Sequence, residues 1–172
     1  MKTPFIKALV VLIAVVAVGA LAATDAAAQV NAISGKAKMT YTKREVVPVG
    51  DVEGHMFLLG DASGLNANTG KWAFMDGAKA RSVGTQELTR GNGPQTGYFI
   101  LSKDGSETVC KNTGTIKTVL SPEGKPLTTM SGEWKTVKGT GSYEGCTGQG
   151  TYQGTVTAEN EYIVEFKGII VQ

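Results

Sequence analysis

The chain has 172 residues, with 17 Lys and Arg against 15 Asp and Glu and a single histidine. A formal charge of +2 gives neither the basic footprint of a nucleic-acid binder nor a polybasic membrane contact. One histidine and two cysteines cannot build a zinc finger or a multi-cysteine site, and no acidic loop has calcium-ligand spacing, so neither metal nor cofactor is expected.

In chain order, the first element is an address rather than part of a fold. Lys2 and Lys7 lead an apolar stretch from Ala8 to Ala23, and Ala26-Ala27-Ala28 supplies a small-x-small cleavage site. This pattern predicts a secretory signal peptide over residues 1–28, cut between Ala28 and Gln29. Residues 29–172 are then one domain of 144 residues, sent to the periplasm or the exterior of a bacterium. That part holds 22 glycines, about 15% against a usual ~7%, with 18 threonines and only 7 leucines. Such a mixture disfavours helices and suits short strands joined by tight turns. No run after the signal approaches the ~18 apolar residues of a membrane span, so no membrane insertion follows cleavage.

Period-two alternation predicts about eight strands, near 33–42, 51–60, 77–89, 95–103, 106–112, 127–138, 148–157 and 160–171. The clearest is Glu161–Lys167, with Tyr162, Val164 and Phe166 on one face. Asp104-Gly105 reads as a two-residue hairpin turn, because a type I′ turn favours that dipeptide. Gly91-Asn92-Gly93-Pro94 and Ser121-Pro122-Glu123-Gly124 are further turn signals, and 61–76 and 113–126 read as long connections. The one helix candidate, 78–90, is weakened by Val83, Gly84 and Thr85. The fold class is all-β: an eight-stranded antiparallel closed barrel, with a two-sheet sandwich as the alternative.

The densest motif runs from Gly139 to Tyr152, as Gly-Thr-Gly-Ser-Tyr-Glu-Gly-Cys-Thr-Gly-Gln-Gly-Thr-Tyr. A phosphate cradle would need a helix after it, and Thr151–Thr157 is strand-like. The motif therefore predicts a sharp bend with close backbone packing, its glycines covered by Tyr143 and Tyr152. This run, with Val52-Glu53-Gly54-His55 and Gly97-Tyr98, resembles the allene oxide cyclase and dirigent-like barrels, and most closely small exported bacterial proteins of that superfamily. The resemblance implies an eight-stranded barrel with a mostly apolar central cavity. It also implies cofactor-free chemistry on lipophilic or phenolic molecules in the enzymatic members, whose acidic catalytic residues have no matching positions here.

No catalytic residue is assigned. His55 is the single weak candidate, since it shares a strand face with Phe57 and Leu59, but a hydrogen-bonded structural histidine is the simpler reading. His55, Phe57, Tyr98, Met130, Trp134, Tyr152 and Phe166 are the candidates for a ligand cavity, with core filling as the plainer alternative. Cys110 and Cys146 would form a disulfide in an oxidising compartment. The leading function is binding of a small apolar molecule or a partner protein. A cofactor-free isomerase or cyclase and a self-associating surface protein with threonine-rich outer faces are the alternatives.

Overall fold

The computed structural model describes residues 28–172, so the predicted signal segment lies outside the described residues apart from Ala28. Eight strands follow in order: β1 (Val30–Pro48), β2 (His55–Asn68), β3 (Lys79–Thr89), β4 (Gly93–Lys103), β5 (Ser106–Leu120), β6 (Pro126–Thr140), β7 (Thr147–Ala158) and β8 (Glu161–Val171). Each pairs antiparallel with the next, and β8 closes on β1 from Val30↔Val171 to Thr40↔Glu161. The sheet is a closed barrel, not a sandwich, and closure leaves no edge along its circumference. A single 3-10 turn, Gly141–Tyr143, precedes β7. The helix candidate over 78–90 is instead β3.

The strands are longer than the alternation predicted, running from 11 to 19 residues. Strands of a closed barrel tilt across its wall and so must be long to span it. β5 continues through 113–120, read above as loop, and only 121–125 connects it to β6. The β4–β5 turn is as expected: Asp104 (φ 49°) and Gly105 (φ 76°) both take the left-handed conformation a type I′ turn requires.

The end of the barrel where β1 and β7 begin is plugged. The 69–78 connection tucks Phe74 (2% exposed) and Met75 beneath the strands. Buried Asn66 fastens it, its Nδ2 donating to Met75 O at 2.8 Å and Phe74 O at 3.3 Å. Phe74 meets Tyr143 edge-on at 5.5 Å and Phe166 at 6.4 Å, with Phe99 6.0 Å from Phe166. At the opposite end, the β1–β2 and β5–β6 hairpins project past the ring and expose Val46, Val47, Val119 and Leu120.

Six of the inner-face glycines form three closely packed facing pairs: Gly84↔Gly97, Gly114↔Gly132 and Gly150↔Gly168. In each pair a Cβ on one glycine would lie within 3 Å of the other's Cα, so the two backbones approach too closely for any side chain. The space gained at two of these pairs is filled by an aromatic residue. Trp134 lies over Gly150 and Gly168, and the Tyr152 hydroxyl sits over Gly114 and Gly132. Tyr152 thus covers glycines as expected, but those of β5 and β6, not its own bend. Tyr143 meets Gly139 through its carbonyl oxygen.

Candidate functional site

The third pair, Gly84 and Gly97, has only backbone among its nearest neighbours, and it faces a cavity of about 90 Å³ inside the barrel. Gly60, paired with Gly84, also borders the cavity, but the Tyr41 ring lies over it, so the bare surface is confined to Gly84 and Gly97. Val83, Thr85 and Thr96, chain neighbours of these glycines, also border the cavity.

The rest of the lining divides by position. Toward the plugged end lie Ile33, Phe74, Phe99, Leu101 and Phe166, with the hydroxyls of Ser82 and Thr108 beside Phe99 and Leu101. Toward the hairpin end lie Gln86, Gln95, Tyr41, Tyr162 and the Tyr152 hydroxyl, with Asn112 and Trp134 between. Gln95 Nε2 donates to Tyr152 Oη at 2.7 Å, which leaves the phenolic O–H free to donate onward. Burial raises the Tyr152 pKa, against the bond from Gln95, so the hydroxyl stays protonated. Burial pushes Tyr162 up to about 12, opposed by its hydrogen bond with Ser82, and its ring packs 5.3 Å from that of Tyr41. The described lining contains no carboxylate, imidazole, ammonium or guanidinium group. A cavity of this kind suits a neutral guest better than a charged one, because an unpaired ion would be desolvated at large cost.

Of the residues singled out from sequence, Met130, Trp134, Tyr152 and Phe166 line this cavity together. His55, Phe57 and Tyr98 do not. Phe57 and Tyr98 are each 43% exposed on the outer face, and Leu59 stands outward with them. On β2 the inward residues are Leu58, Gly60 and Ala62, one position out of step with the apolar face read from the sequence. His55 lies at the rim, its Nδ1 2.5 Å from Asp51 Oδ1 and its Nε2 3.3 Å from Glu87 Oε1. The hydrogen bond with Asp51 is the main cause of its raised pKa; partial burial opposes that, and Glu87 adds to it. His55 is thus an ion-paired clip between the β1–β2 connection and β3, outside the cavity.

The expected disulfide is also corrected: Cys110 and Cys146 are free thiols. Cys110 faces inward on β5, where its Sγ lies 3.7 Å from Thr136 Oγ1, whereas Cys146 follows the 3-10 turn with its Sγ toward Gly139. Burial pushes the Cys110 thiol up to about 11 and raises Cys146 as well. Cys110, expected only as a disulfide partner, lines the cavity, as do Phe74, Phe99, Gln86 and Gln95, which carried no expectation. A usable signal was present for Phe99: alternation from Gly97 places Phe99 and Leu101 on the glycine face and Tyr98 on the other.

No family model matches the chain, and no curated protein does. Among solved structures, a pterocarpan synthase dirigent protein is similar over 84% of this chain and 86% of its own, at 12% identity and a TM-score of 0.48.

Proposed function

We propose that the protein is exported and that its barrel binds a small, neutral, partly apolar molecule. The observation that supports this best is the cavity against the bare Gly84–Gly97 pair, which is mostly apolar at the plugged end, Ser82 and Thr108 apart, and carries uncharged polar groups at the other. Size restricts the guest. An apolar cavity of about 150 Å³ takes up benzene, so about 90 Å³ accepts one small ring only if a lining side chain yields. Met130, with an unbranched and adaptable side chain, is the residue suited to yield. Export rests on the Lys-headed apolar segment and the Ala26-Ala27-Ala28 site.

Native mass spectrometry of protein purified from its own host tests both parts. The expected species is a chain beginning at Gln29 with a non-covalent guest that is lost on denaturation. A bare chain in every native preparation would overturn the binding reading, and a chain retaining Met1 would overturn export.

A further inference from the structure

Each of the three closely packed glycine pairs removes side chains from two adjacent inner-wall positions, yet only two of these pairs are covered from within the chain. Trp134 covers Gly150 and Gly168, and the end of Tyr152 covers Gly114 and Gly132. Over Gly84 and Gly97 the nearest atoms are backbone alone, and both glycines border the cavity. Paired peptide planes without side chains present a flat surface, and flat groups lie against such a surface with the most contact.

We infer that the Gly84–Gly97 pair is a subsite for a planar, uncharged ring bearing a hydrogen-bond acceptor, which takes the place that an aromatic side chain occupies at the other two pairs. This rests on the binding reading above and specifies the class of guest. The acceptor is met by the Tyr152 O–H, which Gln95 positions by donating to the phenolic oxygen at 2.7 Å. Planarity follows from the bare backbone, neutrality from the absence of charged groups in the described lining, and the acceptor from the unspent tyrosine proton.

Three probes separate these requirements. 2-Pyridone is planar and neutral with a carbonyl acceptor, 2-piperidone has the same size and acceptor but a puckered ring, and picolinate is planar but anionic. Binding is followed by 1H–15N NMR on the intact protein. The expected result is saturable movement of the Gly84 and Gly97 amide signals with 2-pyridone, at least tenfold weaker binding of 2-piperidone, and none of picolinate. Tyr152→Phe should weaken 2-pyridone about fivefold, the order of one lost neutral hydrogen bond, and still show the same glycine shifts at saturation. If 2-piperidone binds within twofold of 2-pyridone, or the shifts fall on the projecting hairpins, the inference is wrong while the cavity reading survives. If no probe gives saturable shifts, both are wrong.

Discussion

Replacing Gly150 with alanine tests whether the glycine pairs are close-packed seats rather than flexible points. The new methyl would stand 2.7 Å from Trp134 Cε2 and 2.7 Å from Gly168 Cα, with Lys167 O closer still. Two of these three neighbours are backbone atoms, so rotating the indole cannot relieve the clash. Overpacking of this kind costs about 1–3 kcal/mol, and a backbone obstacle places Gly150→Ala in the upper half of that range. The entropy lost by the unfolded chain returns only about 0.4–1 kcal/mol. A net loss of about 2 kcal/mol corresponds to a fall in melting temperature of roughly 8 °C for a domain of this size. Thermal and urea unfolding followed by circular dichroism would measure it. In a Trp134→Leu background the same substitution should cost less, since one of the three contacts has gone. A fall below 2 °C, or an equal cost in both backgrounds, would refute the packing argument.

Other expectations concern the rim, the thiols and one turn. His55 is the sequence's single histidine, so its NMR titration needs no assignment. The midpoint should lie above 6.5 and drop in Asp51→Asn; a midpoint at or below 6.5 would sink the ion-pair reading. Because the folded pKa is raised, the stability it contributes is complete below about 6.5 and disappears as pH rises through the folded value. The Asp51 pKa is lowered mainly by the same bond, so its own contribution is present above the ordinary carboxylate pKa and lost as pH falls through the folded value. Thiol titration should find two reactive groups after denaturation without reductant, and slow reaction at Cys110 in the folded protein at pH 8; rapid native labelling of Cys110 would contradict its burial. Gly105→Ala should cost about 1 kcal/mol, because its φ of 76° is strained for any residue with a Cβ, and an unchanged stability would place the turn elsewhere.

The strand count and the Asp104-Gly105 turn were legible because turn chemistry and period-two alternation are local; these left barrel and sandwich both open, and closure was expected from the need to protect strand edges and from the resemblance. The cavity was harder to read, for a reason visible on β2. Apolarity there marks Phe57 and Leu59, but both stand outward, while the inner face is Leu58, Gly60 and Ala62. A narrow barrel interior has little room per strand, so many inner positions must be small and a few large rings fill the space they leave. Hydrophobic periodicity favours the face with more carbon, and here that is the outer one. Gly114 misled in the same way: read as the start of a loop, it is a mid-strand seat for the Tyr152 hydroxyl. The cysteine pairing rested on compartment and count, which carry no distance information, and β5 and the turn after β6 hold the two thiols to different neighbours.

The most direct test of the central claim is a crystal structure of the protein purified from its own host without refolding. Flat density should lie against the Gly84–Gly97 backbone inside the barrel, with an oxygen or nitrogen within hydrogen-bond distance of Tyr152 Oη. A cavity filled by a side chain of the protein itself, or a guest seated only on the projecting hairpins, would contradict it.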